Sequence, residues 1–167
     1  MKRIKVGDIF FLITPNTKQK RFFQFIAKDT SSLSSDVVRV FSKAYTPDCI
    51  PTLREIIEDS VECYLHTMIH WGIKLEVWTY FGNSSNIGSL DLFFRRSRDI
   101  GMHPGQTFVS YNWEVWELNR PVRFVGRLPK QYYTADIGDV SGPLRAVKEI
   151  EEREYCGVYY PKYSQED

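Results

Sequence analysis

Residues 61–70 alternate along the chain. Val61, Cys63, Leu65, Thr67 and Ile69 fall on one side of an extended backbone, and Glu62, Tyr64, His66, Met68 and His70 fall on the other. Successive side chains of a strand point to opposite faces, so this spacing predicts a β-strand with two differently lined faces. Further short, apolar and β-branched segments read the same way: residues 9–13, 22–27, 36–45, 90–95, 107–111, 113–118 and 122–125. In residues 22–27 the pattern puts Phe23, Phe25 and Ala27 on one face. The turn residues Thr14-Pro15-Asn16-Thr17, followed by a basic tip from Lys18 to Arg21, make the first two segments a hairpin.

Helical spacing is rarer. Residues 51–59 begin with Pro51 and repeat Leu53, Ile56 and Ile57 at i, i+3, i+4. Residues 71–81 carry Trp71, Leu75, Trp78 and Phe81 near helical spacing, and residues 143–153 carry Leu144, Val147 and Ile150. Residues 29–35, 82–86 and 98–106 are polar or rich in Gly and Pro and read as loops. The chain is thus expected to be α+β, mainly β. It should form one strongly bent antiparallel sheet or partly open barrel, with two or three short helices covering it. Its histidines and acids are expected to stay apart.

The 167 residues suit a single domain spanning 1–167, with a polar tail at about 164–167. Hydrophobic residues at 43% and charged residues at 26% are ordinary for a folded domain, and an aromatic share of 15% implies an aromatic core. A net charge of +1 leaves no electrostatic footprint for nucleic acid or an anionic membrane. No stretch reaches the ~18 apolar residues of a membrane span, and the apolar run 9–13 is too short for a signal sequence. Cys49, Cys63 and Cys156 form no CxxC pair, and free thiols fit a reducing compartment, so the expected location is the cytoplasm.

The sequence offers little chemistry. His66 and His70 on one strand would stand ~13 Å apart, too far to share a metal, and no HExxH pattern surrounds them. A nucleophile elbow, a Walker loop and a GxGxxG motif are all missing. Cys63 reads as a small buried hydrophobe, and His103, beside Pro104, as a solvated loop residue. No catalytic residue and no cofactor is assigned. The basic stretch Arg95, Arg96 and Arg98 follows Leu92-Phe93-Phe94. Arginines interleaved with aromatics suit a protein-contact hot spot, or secondarily single-stranded RNA. Trp113 and Trp116 must face opposite sides of a regular strand, which leaves one for solvent, a helix or a partner. The partner-contact candidates are Arg95, Arg96, Arg98, Trp116 and Tyr111.

Several stretches resemble a known family. The opening Ile4-Lys5-Val6-Gly7-Asp8-Ile9-Phe10 and the strand Phe23-Gln24-Phe25-Ile26-Ala27 are similar to the start of the bacterial immunity protein 26 family. Residues 61–71 with Trp78, the Phe81-Gly82-Asn83 turn and Trp113-Glu114-Val115-Trp116 fit a β-rich subgroup of it. The resemblance implies a mainly β fold and a non-enzymatic role: binding and neutralising a co-encoded toxin through protein–protein contact. Some members carry a phosphotriesterase label. The alternative is therefore a metal-dependent hydrolase in which the fold gathers His66, His70 and a carboxylate such as Asp36 or Asp91.

Overall fold

The first hairpin closes as its turn residues predict. The Thr14 amide donates to the Gln19 carbonyl and the Gln19 amide to the Thr14 hydroxyl, both at 2.8 Å, while Lys18 takes a φ of 53°. The strands on either side, β1 (Asp8–Ile13) and β2 (Lys20–Asp29), pair antiparallel with Phe10 opposite Phe23. The computed structural model describes residues 3–156 and 159–165.

After this hairpin come β3 (Ser35–Tyr45), α1 (Leu53–Ile57), β4 (Val61–Thr67), α2 (Ile69–Lys74) and β5 (Thr79–Asn83). They are followed by β6 (Phe93–Ser97), β7 (Trp113–Glu117), β8 (Arg123–Gly126), β9 (Asp136–Ile137), β10 (Val140–Ser141) and α3 (Pro143–Glu152). The expected class, α+β and mainly β, is what forms, but the strands divide into two sheets and neither closes into a barrel. The larger has the order β10-β4-β3-β2-β1-β5 and the smaller β8-β7-β6-β9. The chain leaves the larger sheet at β5, builds the smaller one, and returns as β10, which pairs parallel with β4.

One face of the larger sheet carries Phe10, Phe23, Phe25, Val38, Val40, Cys63 and Leu65, covered by Ile69 of α2 and by Ala146 and Ile150 of α3. The opposite face is divided. At one end Ile9, Phe22 and Phe41 pack under Ile56 of α1. At the other, Ile26, Ala27 and Val37 pack against Phe94 and Trp116 of the smaller sheet. Between these clusters Gln24, Arg39 and Tyr64 stand in register across three strands. Arg39 Nε donates to Gln24 Oε1 (2.8 Å) and Arg39 Nη2 to the Asn86 carbonyl (2.7 Å), so the 84–88 loop closes over a buried polar row. Every polar group in that row needs such a partner, because an unpaired buried donor costs about 1–3 kcal/mol.

Several expectations are corrected here. A bulge between Phe25 and Ala27 turns Ala27 toward the smaller sheet, away from Phe23 and Phe25. Arg21 is no hairpin tip. It is 1% exposed, donates to the Ile150 carbonyl at 3.0 Å, and pairs with Glu62, which also binds Arg153 beyond α3. β4 stops at Thr67, since Asp36 Oδ2 accepts from the Ile69 amide (2.9 Å) and starts α2 there. The helix expected over 71–81 is therefore replaced by α2 at Ile69–Lys74, a reversal through Glu76 (φ 57°) and the edge strand β5. Residues 107–111 form no strand beyond an isolated bridge from Val109 to Lys162.

Trp78 folds back onto α2 and makes Gly72 obligatory. A Cβ on Gly72 would lie 2.0 Å from the Trp78 ring. In most helix interiors Gly→Ala gains about 1 kcal/mol. Here Gly72→Ala is expected to destabilise the protein by about 1–3 kcal/mol through overpacking, read as a lower midpoint in denaturant unfolding with an unchanged slope.

Candidate functional site

The sheets meet at a buried polar node. Asp29, at the end of β2, has a carboxylate wholly removed from solvent. Its Oδ2 accepts from Trp116 Nε1 of β7 (2.8 Å) and lies 2.9 Å from His66 Nε2 of β4. Oδ1 accepts from the Ser31 amide (2.9 Å) and the Asn119 amide (3.3 Å). An ionised carboxylate only accepts, which places a proton on His66 Nε2 in this contact. Phe94 packs edge-on against the His66 ring at 4.4 Å. Burial pushes the Asp29 carboxyl up, but hydrogen bonds from His66, Trp116 and Ser31 outweigh it and hold the pKa at about 2. Asp29 and His66 thus converge, contrary to the expectation that acids and histidines stay apart.

His66 is 0% exposed and its Nδ1 has no partner among the described residues. His70 lies on α2, exposed, with its ring 6.2 Å from Trp71. The structure does not bring the two histidines together, because β4 ends between them. Asp36 is taken up by Lys28 and the start of α2, and Asp91 is exposed beside Ser89. Among the described residues no three His, Cys, Asp or Glu side chains gather as metal ligands. Cys63 is buried, and burial pushes its thiol well up, as expected of a core residue. His103 packs edge-on against Phe108 at 4.7 Å.

The arginines of β6 split by strand alternation. Arg96 and Arg98 reach Glu114 of β7: Arg96 Nη2 donates to Oε2 (2.8 Å) and Arg98 Nε to Oε1 (2.7 Å). Glu114 is largely buried; its carboxyl is pushed up by burial, but these two bonds bring it below the usual range. Arg96 lies over the Trp116 ring at 5.3 Å and Arg98 over Phe124 of β8 at 4.7 Å. Phe124 is 54% exposed and Tyr111 is 56% exposed. The Tyr111 carbonyl lies near the end of β8, where a Cβ on Gly126 would stand 3.6 Å from it. Arg98 and Phe124 form an arginine–aromatic patch along the β8 edge, with Arg98 held by Glu114.

Arg95, Arg96 and Trp116, all partner-contact candidates, do not join that patch; Arg96 lies over the Trp116 ring. Trp116 is 1% exposed and points into the inter-sheet core, so it offers no surface. Arg95 faces the other side of β6, under Trp113 and Tyr163. Both tryptophans of β7 are buried: the outer side of the smaller sheet, where Trp113 points, is covered by Leu128, Tyr132 and Tyr160. Sequence reasoning missed Asp29, Glu114 and Phe124. The Asp-Thr-Ser start of the 29–35 loop does signal an Asx turn, which the Ser31 amide makes. Nothing local signals partners 37 and 87 positions away.

These features define an α+β, mainly β protein of two stacked mixed sheets with a buried Asp–His–Trp node. The chain matches no family model, no curated protein and no solved structure. Among the described residues no helix is long and apolar enough to cross a membrane.

Two carboxyls set opposite pH slopes. Asp29 titrates at about 2 when folded and near 3.9 when unfolded. Its stabilisation is complete above about pH 4 and is lost as pH falls through 2. Asp136 of β9 is raised by burial to about 6. It therefore removes stability as pH climbs from about 4 to 6, and stability stays lower above that. Thermal melts across pH are expected to peak near pH 4 for these two groups. Asp29→Asn should lose about 2–3 kcal/mol at pH 7, and Asp136→Asn should gain about 1–3 kcal/mol at pH 8 with no gain at pH 4.

Proposed function

We propose that this protein works by binding another protein, a toxin encoded beside it, and neutralising it by occupying its surface. The observation that carries this reading is the patch on the β8 edge. Glu114 fixes Arg96 and Arg98, Arg98 lies over the exposed Phe124, and Tyr111 is exposed as well. Arginine and tyrosine are the residue types enriched at binding hot spots, and a guanidinium held by a buried carboxylate loses little freedom on binding. The resemblance of the opening strands to immunity protein 26 points the same way. The partner face would bring acidic groups to Arg98 and apolar surface to Phe124. In support of a non-enzymatic role, His66, Asp29 and Asp36 are each engaged in structural contacts.

The test is co-purification with the product of the neighbouring toxin gene, together with growth rescue of toxin-expressing cells. Complex formation and rescue are expected. Arg98→Ala and Phe124→Ala should each weaken the complex by about 2 kcal/mol or more, roughly 30-fold in Kd, with little change in melting temperature. No complex and no rescue by the parent protein would end this reading.

A further inference from the structure

The outer face of the smaller sheet is roofed by the end of the chain. The Lys162 amide donates to the Phe108 carbonyl and the Ser110 amide to the Lys162 carbonyl, both at 2.8 Å. Tyr163 stacks on Tyr133 at 4.3 Å, and the Ser97 amide donates to the Tyr160 hydroxyl at 2.9 Å. Under this roof lies a cavity of about 450 Å³, within the size range of small-molecule sites. Arg95, Lys162, Trp113, Tyr155 and Tyr163 line it, and its lining includes no Asp or Glu among the described residues.

Arg95 is the group the rest of the fold does not use. Its neighbours Arg96 and Arg98 are held by Glu114, whereas Arg95 Nε and Nη1 are shielded from solvent and have no acceptor among the described residues. The rings of Trp113 and Tyr163 cover the guanidinium at 5.7 and 4.8 Å. Ring faces stabilise its charge but provide no hydrogen-bond acceptor of ordinary strength. Asp136, on the adjacent strand, feels the Arg95 charge but makes no ion pair with it. Tyr155 lends the cavity part of its wall, while its hydroxyl turns to the Cys63 thiol in the core of the larger sheet. Shielded donors of a charged side chain are costly to leave unpaired, and among the described residues nothing accepts from Arg95 Nε or Nη1.

We infer that this cavity is a binding site for a flat organic anion, a carboxylate or phosphate ester on an aromatic body. Arg95 and Lys162 hold the anionic group, and the walls of Ile137, Tyr160 and Pro161 pack against the body. Two cations, with no carboxylate among the described lining residues, select the sign of charge. The apolar walls select an organic body over a bare ion, because burying it adds contact area that an inorganic anion lacks. The β8-edge patch takes no part in this site.

The probes are benzoate, phenyl phosphate, inorganic phosphate and the cation benzamidine, titrated into the full chain by calorimetry with tryptophan fluorescence as a second signal. Benzoate or phenyl phosphate is expected to saturate at one site with a Kd of about 1 mM or tighter. Whichever of the two binds more tightly identifies the anionic group. Inorganic phosphate should bind at least ~10-fold more weakly, and benzamidine not at all, since it meets two like charges. Arg95→Met should weaken binding ~10-fold or more and the exposed Lys162→Met ~3-fold, while Arg98→Ala leaves it unchanged. The inference is overturned if neither aromatic anion saturates by ~10 mM, if benzamidine binds equally well, or if Arg95→Met binds as the parent does. Should Arg95→Met lose its cooperative melt, Lys162→Met decides: an unaltered affinity there rejects the site.

Discussion

The Asp29 carboxylate is the contact on which the arrangement of the two sheets depends. It sits at the end of β2, the most deeply buried strand, and receives His66 from the same sheet and Trp116 from the other. A carboxylate taken out of water is tolerable only when its lone pairs are filled, and here side chains from two sheets and amides from two loops fill them. Their geometry fixes the register in which Phe94 and Trp116 lie over Ile26 and Val37. Apolar contact alone is non-directional and would leave that register loose.

The same device recurs at the other joints of the molecule. Arg21 reaches from β2 to the last turn of α3 and, through Glu62, to Arg153. Glu149 inside α3 accepts from Ser141 of β10 and from Arg145, which ties the returning strand to the helix that covers it. Arg39 holds the 84–88 loop over the polar row between two apolar clusters. In each case a buried charge is placed where two elements must meet at one angle, and apolar packing supplies the bulk of the burial around it.

This pattern separates the polar groups that hold the fold from those left at its surface and in its cavity. Asp29, His66, Arg21, Arg39 and Glu149 are engaged inside the protein. Arg98, held by Glu114, and Phe124 stand exposed on one edge, and Arg95 with Lys162 lines a cavity on the far side of the same small sheet. Strand alternation in β6 creates the division: Arg96 points toward the larger sheet's side and Arg95 toward the C-terminal roof. One short basic stretch thereby supplies two surfaces of different chemistry.

Local pattern was enough for much of this. Period-two spacing located β4 and β7, apolar β-rich runs around turn residues located the first hairpin, i, i+3, i+4 spacing located α1 and a spacing of three located α3, because side-chain direction along a strand or helix is a property of the backbone itself. The capping box of Thr52 and Glu55 is likewise local. Tertiary structure decided the rest. It ended β4 before His70 through Asp36, turned Ala27 by a bulge, and split the strands into two sheets. It also carried Arg21 and Trp116 inward and brought Asp29 to His66. These outcomes depend on partners tens of residues distant. A charged or polar side chain looks alike in sequence whether it meets water or a buried partner, and only the packed fold determines which.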